Sequence, residues 1–194
     1  MRKFLIIATS VVMLFSFAAC GKKDDNSSET TEAVTEAGAP TSPEEIVQLV
    51  NVDLPAIAAD RDKAVEIYNS YYVPGADIDS ETWKEQLQND AIPTYETYLN
   101  NLKALSYTNG EVQNLLDLYI KSAEYQKDAM DTVVAAIDEV DTDKLDEANS
   151  MISDSKTYLG MYEEELTRLC ESYGINMIGE FNSSPTDASA TDAE

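Results

Sequence analysis

The sequence of 194 residues contains no histidine and only two cysteines. Without histidine, neither Ser-His-Asp nor Cys-His catalysis is available, and every zinc site or di-iron bundle that needs imidazole ligands is excluded. Basic residues are also scarce, with 13 Lys and Arg against 37 Asp and Glu. A formal charge of −24 argues against nucleic-acid binding, because phosphates are bound by clustered cations. We therefore predict a protein that is not an enzyme and has no metal, no cofactor and no nucleic-acid partner.

The N-terminus has the pattern of an export signal. A short basic start, Met1-Arg2-Lys3, precedes 14 uncharged residues from Phe4 to Phe17. As a helix this run would span roughly 21 Å, which is short of the ~30 Å hydrocarbon core of a bilayer. This length is typical of the apolar region of a signal peptide rather than of a permanent membrane span.

Small residues and a cysteine follow the apolar run, in the order Ala18-Ala19-Cys20-Gly21. This segment resembles the lipobox of bacterial lipoproteins, although Phe17 stands where the family usually has leucine or another aliphatic residue. The resemblance covers about twenty residues and implies acylation of Cys20 and removal of residues 1–19. It also implies a protein held at the extracytoplasmic face of the cell membrane by acyl chains on Cys20. Cys170 is then the remaining thiol, and we expect it to be a buried helix residue.

The rest of the chain divides into three parts. Residues 20–41 are dominated by Ser, Thr, Glu, Asp and Ala, and we predict a flexible acidic tether after the lipidated cysteine. Residues 42–174 contain the apolar periodicity of a folded domain. Residues 175–194 form a C-terminal tail that we predict to be mostly disordered.

Helix start and stop signals divide residues 42–174 into four segments. Ser42-Pro43-Glu44-Glu45 and Thr108-Asn109-Gly110-Glu111 both have the form of a capping box. Asp79-Ser80 and Asp141-Thr142-Asp143 offer further N-caps, and Gly174 suits a left-handed C-terminal cap. The loops are short, which favours antiparallel neighbours. The predicted fold is all-α, an antiparallel up-down-up-down four-helix bundle, with an extended two-helix coiled coil as the alternative.

The third and fourth segments carry apolar seams with alternating spacings of three and four, as in near-parallel packed helices. The predicted seam positions are Val112, Leu116, Tyr119, Ala123, Gln126, Met130, Val133, Ile137 and Val140 in one helix, and Leu145, Ala148, Ile152, Ser155, Leu159, Tyr162, Leu166, Leu169 and Tyr173 in the other.

Each predicted helix has one irregular residue near its middle: Pro55, Pro93, Gln126 and Gly160. Proline removes a helix hydrogen bond, and glycine costs about 1 kcal/mol relative to alanine in a helix. One hypothesis is that these four residues share a layer and form a cavity for a small ligand, with Gln126 and Gly160 facing each other. The alternative is two kinks, a close-packing glycine and a tolerated polar residue.

Tyrosine is abundant, with 11 residues in or beside the predicted helices. Tyrosine is enriched in protein interfaces, although it also covers cores while its hydroxyl meets water. Tyr71 and Tyr72, at the end of the first helix, lie across a short loop from Trp83. We identify these three residues as the candidate interface.

Acidic residues crowd the turn between the third and fourth helices. The Asp-x-Asp spacing at Asp141 and Asp143 suggests calcium, but the later positions of an EF-hand loop are absent. Helix capping is the better interpretation. The sequence therefore predicts a non-catalytic interaction or structural module of the bacterial cell envelope with a protein or small-molecule partner. The alternative is a bundle that binds or senses a small ligand.

Overall fold

The computed structural model describes residues 19–21, 42–73, 75 and 77–178. Most of the predicted signal peptide, tether and C-terminal tail lies outside these residues. Ala19–Gly21 forms a short strand, β1, which pairs antiparallel with β2 at Asn176–Ile178, so that Cys20 stands opposite Met177. None of the described helices is long and apolar enough to cross a membrane.

Four long helices make up the described domain, which confirms the all-α class. Helix α1 covers residues 42–70 and consists of α-helical segments at Ser42–Gln48 and Leu54–Ser70 around a π-helical turn at Leu49–Asp53. Helix α2 covers residues 80–104 and is built in the same way, from Ser80–Gln86, Leu87–Ala91 and Ile92–Ala104. Helix α3 is Gly110–Glu139 and helix α4 is Thr142–Tyr173.

The π-helical turns explain how α1 and α2 accommodate proline. Pro55 and Pro93 each stand two residues after the last residue of a π turn, and both are exposed. In a regular α-helix a proline ring collides with the carbonyl four residues earlier. In the wider turn, Leu54 N–H bonds the carbonyl of Leu49, five residues back. A π turn contains about one residue more than an α-helical turn, and in both helices this wider turn lies just before the proline.

The predicted seams of α3 and α4 largely form the core, and Cys170 is buried as predicted. The seam fails at its end in α3. Ile137 is half-buried and Val140 is 73% exposed, because the helix terminates at Glu139 and Val140 takes a left-handed conformation with φ 53°. Tyr173, at the end of the α4 seam, is likewise exposed.

The helix caps differ from the predicted capping boxes. Asn109, rather than Thr108, caps α3 by accepting hydrogen bonds from the amides of Glu111 (2.8 Å) and Val112 (3.2 Å). The Glu45 carboxylate accepts from the amides of Thr108 (3.1 Å) and Asn109 (2.9 Å) and from the Thr108 hydroxyl. Glu45 therefore joins the start of α1 to the start of α3.

Contacts between helix ends show which ends lie together. The Trp83 indole nitrogen donates to the Ile67 carbonyl at 3.3 Å, so the end of α1 lies beside the start of α2. Lys84 binds Asp138, which places the end of α3 there as well, and Lys144 at the start of α4 binds Glu139. We call this group, residues 68–73, 75, 77–84 and 138–147, the aromatic end.

The opposite group of helix ends is joined by separate contacts. Asn109 donates to the Ser42 hydroxyl, and Arg168 Nη2 binds Glu111 Oε1 at 2.9 Å. The starts of α1 and α3 and the end of α4 therefore lie together. We call this group, residues 42–45, 105–111 and 168–173, the tether end, because the predicted tether joins the domain at Ser42.

The Val140→Gly variant is expected to be more stable than the wild type. A β-branched side chain in the left-handed region costs roughly 1–2 kcal/mol, whereas glycine adopts that conformation freely. Part of that gain is offset because glycine loses more chain entropy on folding, so the free energy of unfolding should rise by about 1 kcal/mol. Urea denaturation measures this, and a variant no more stable than the wild type would contradict the assigned cap.

Candidate binding surface

Trp83 forms the floor of the aromatic end. Its side chain is 1% exposed, because Trp83 and Leu87 occupy the same core-facing side of α2. The buried indole nitrogen is satisfied by the carbonyl of Ile67. This placement corrects the expectation that Trp83 belongs to an exposed interface, since a partner cannot reach it.

Three tyrosines surround Trp83: Tyr68 from the last turn of α1, and Tyr71 and Tyr72 directly after that helix. Tyr71 stacks on the indole with ring centroids 4.5 Å apart and an interplanar angle of 13°. Tyr72 meets it edge-on at 5.4 Å, and Tyr68 lies at 5.8 Å. All three tyrosines are half-buried. The structure therefore brings together the three residues of the candidate interface and adds Tyr68, whose spacing of four from Tyr72 is a detectable sequence signal.

The phenol groups of Tyr68 and Tyr72 stay protonated at neutral pH. Burial raises the pKa of Tyr68 to about 12, although a hydrogen bond with Tyr72 acts in the opposite direction. Burial, followed by the neighbouring Tyr68, raises the pKa of Tyr72 well above its ordinary value. Tyr68 and Tyr72 therefore present uncharged hydroxyl groups rather than phenolate charge.

Two exposed valines and a group of carboxylates lie at the same end of the domain. Val73, directly after Tyr72, is 56% exposed, and Val140 in the α3–α4 turn is 73% exposed. Residues 77–84 and 138–147 contribute nine acidic and two basic side chains, a formal charge of −7. Both cations are engaged: Lys84 by Glu81 and Asp138, and Lys144 by Glu139.

Two carboxylates of this end act in helix capping. Asp79 accepts the amide of Thr82 at 2.8 Å, and Asp141 accepts the amide of Asp143 at 2.9 Å. Among the residues that the structure describes, there is no group of three or more Asp, Glu or Cys side chains close enough together to hold a metal ion. Backbone capping accounts for Asp79 and Asp141 in the described structure.

The candidate ligand layer is only partly assembled. Gln126 is buried, and its amide oxygen accepts a hydrogen bond from the Tyr95 hydroxyl at 2.8 Å. Tyr95 lies two residues after Pro93 in the chain. Pro55 and Pro93 are exposed, and a Cβ on half-buried Gly160 would meet no atom within 4 Å. The grooves described between α3 and α4 and between α2 and α3 are lined by residues other than these four.

The register of α3 and α4 separates Gln126 from Gly160. Ser122 and Ser155 meet across the two helices at 3.0 Å. Gln126 lies four residues beyond Ser122, toward the aromatic end, and Gly160 lies five residues beyond Ser155, toward the tether end. The structure therefore places them on opposite sides of this serine pair and does not bring them together.

A buried polar network in the middle of the domain was not anticipated. Arg61 is 4% exposed and donates from Nη1 to the Tyr119 hydroxyl at 2.8 Å and from Nη2 to Asp62 at 2.6 Å. Tyr119 in turn packs against Tyr162, with ring centroids 4.9 Å apart. The sequence contains a signal for this buried arginine. Arg61 follows Ala58 by three residues and Leu54 by seven, a spacing that places it on the apolar face of α1.

Comparisons with known proteins give no relative for this chain. No family model, no curated protein and no solved structure matches it.

Proposed function

We propose that this protein is a lipoprotein anchored to the extracytoplasmic face of the cell membrane through acyl chains on Cys20. The bundle acts as a non-catalytic interaction module of the cell envelope. The observation that carries this proposal is the position of the aromatic cluster, at the end of the domain opposite the tether. A protein tethered near Ser42 would hold Tyr71, Tyr72 and Val73 away from the bilayer.

The proposed packing of the helices is an antiparallel up-down-up-down bundle. The contacts between Ile67 and Trp83, between Lys84 and Asp138, and between Glu111 and Arg168 each join the end of one helix to the start of another. An alternating direction for all four helices accommodates these contacts together with the short loops. Helices of 30 and 32 residues at 1.5 Å per residue would place the two ends roughly 45 Å apart.

The small-ligand function has weaker support. It requires a polar handle that a ligand can use, and the Gln126 oxygen is already bonded to Tyr95. Among the described residues, every buried side-chain nitrogen and oxygen has a hydrogen-bond partner. An unsatisfied buried amide would cost ~1–3 kcal/mol and would favour a ligand there, but the structure provides that amide with a partner.

The Cys20→Ala variant tests the anchor. The thiol is the proposed site of acylation, so its removal should abolish incorporation of labelled palmitate and release the protein from the membrane fraction. Cys170→Ala is the matched control, because that thiol is buried and should not affect labelling. Palmitate on the Cys20→Ala variant, or its full retention in membranes, would overturn the proposed anchoring.

A further inference from the structure

We infer that the aromatic end binds a basic polypeptide segment that also carries apolar side chains, supplied by a partner protein. The surface consists of Tyr71, Tyr72 and Val73 from one loop and Val140 with its acidic neighbours from the other. This inference rests on the proposed function, because it names the partner of the surface held away from the membrane. Three features support the inference: the negative charge of this surface, its exposed valines and its poorer fit to other kinds of partner.

The charge of the aromatic end selects for cations. Its formal charge of −7 lies on the α1–α2 and α3–α4 loops and on the helix ends beside them, and its two lysines are already paired with carboxylates. Charges within about 8–10 Å of each other still interact at physiological salt. A partner rich in lysine or arginine would therefore be attracted and oriented by this surface.

The exposed valines indicate an apolar contact. The backbone of the α3–α4 turn favours glycine or asparagine at residue 140, because its φ of 53° is left-handed. The turn does not stabilise a valine side chain at residue 140, which is 73% exposed. Val73, beside Tyr72, is 56% exposed. Burial against an apolar side chain of a partner would stabilise both valines.

Other partners fit this surface less well. A second copy of the chain would bring two surfaces of charge −7 together, and an anionic wall polymer would be repelled in the same way. A neutral glycan could stack on tyrosine, but it has no counterpart for the carboxylates. A basic and partly apolar peptide matches both properties at once.

The test uses the mature chain, residues 20–194, carrying Cys20→Ala, and a fluorescein-labelled 12-residue peptide of alternating lysine and leucine. Two control peptides replace every lysine by glutamate or every leucine by serine. The acidic variant combines Asp77→Asn, Asp146→Asn and Glu147→Gln, which are exposed and lie outside the caps. Its matched control combines Asp154→Asn, Glu164→Gln and Glu171→Gln, which are exposed on α4 outside the aromatic end. Val73→Ser with Val140→Asn removes the apolar contact, since asparagine tolerates the left-handed turn.

Fluorescence anisotropy should show saturable binding of the lysine–leucine peptide and weaker binding of both control peptides. We expect the acidic variant to weaken binding about tenfold and its α4 control less than about threefold, because only the former removes charge beside the bound peptide. The valine variant should also weaken binding about tenfold. Equal losses from the two acidic triplets, or undiminished binding of the lysine–serine peptide, would overturn the inference. Failure of palmitate labelling at Cys20 would instead overturn the anchoring and leave the peptide result unchanged.

Discussion

Replacing Trp83 with alanine is expected to lower the free energy of unfolding by about 3–5 kcal/mol, as for other large aromatic residues removed from a core. Trp83 is 1% exposed and contacts Tyr68, Tyr71 and Tyr72. Its removal would leave a cavity and release the aromatic cluster from its floor. Urea denaturation of the mature chain measures the loss, and a change below about 1 kcal/mol would contradict the assigned packing.

The half-buried Tyr71 provides the matched comparison for Trp83. Tyr71→Ala removes the ring that stacks on the indole at 4.5 Å but leaves Trp83 in place. Its effect on stability should be smaller, about 1–2 kcal/mol, because less surface is buried at this position. Similar losses for the two variants would indicate that Trp83 is not the floor of the cluster.

Replacing Glu45 with alanine is expected to lower the free energy of unfolding by about 3 kcal/mol, because hydrogen bonds to a charged group are strong and three donors at the start of α3 lose their acceptor. The Glu45 carboxylate is buried and binds two amides and one hydroxyl at the start of α3. Its loss leaves the Asn109–Ser42 hydrogen bond as the other described contact between the starts of α1 and α3. Glu66→Ala, at an exposed position in α1, is the control and should change stability by less than about 0.5 kcal/mol.

The same carboxylate predicts how stability depends on pH. Burial alone would raise the pKa of Glu45, but the hydrogen bonds from Thr108 and Asn109 outweigh it and lower the pKa overall. A lowered folded-state pKa means that this stabilisation is fully present above the unfolded value of about 4.3. It is lost as the pH falls through the folded-state pKa. Glu45→Gln should therefore flatten the acid side of the stability curve, and an unchanged slope between pH 5 and the acid transition would contradict this role.

Much of the helical framework was predictable because its signals are local. Caps at Asp79, Asp141 and Gly174 and the spacing of seam residues such as Leu116 and Leu166 depend only on neighbours along the chain. The π turns were not predicted, since proline alone suggests a kink. The related sequences Gln48-Leu49-x-Asn51 and Gln86-Leu87-x-Asn89, each followed by a Leu/Ile-Pro pair, were the available signal. Val140 was assigned to the seam because periodicity does not show where a helix stops.

The candidate site was predictable only where its contacts join residues that are close in the sequence. Tyr71, Tyr72 and Trp83 were brought together by a short loop, which the sequence shows directly. Glu45 binds Thr108, 63 residues away, and Arg61 binds Tyr119, 58 residues away, and both contacts depend on the rotation of each helix about its axis. Side-chain spacing within one helix does not determine that rotation. The separation of Gln126 from Gly160 depends on the register of α3 and α4. Equal distances from the two helix starts predicted that these residues would meet, but the Ser122–Ser155 contact sets a different register.

One measurement tests most directly whether the aromatic end is displayed outside the membrane. In a Cys170→Ala background that carries Val73→Cys, a membrane-impermeant maleimide is added to intact protoplasts. Because residue 73 is 56% exposed and lies opposite the tether, we expect the new thiol to be labelled as fully as after lysis. The wild-type protein should stay unlabelled, since Cys170 is buried and Cys20 would carry lipid. Labelling of Val73→Cys only after lysis would contradict extracytoplasmic display of the aromatic end.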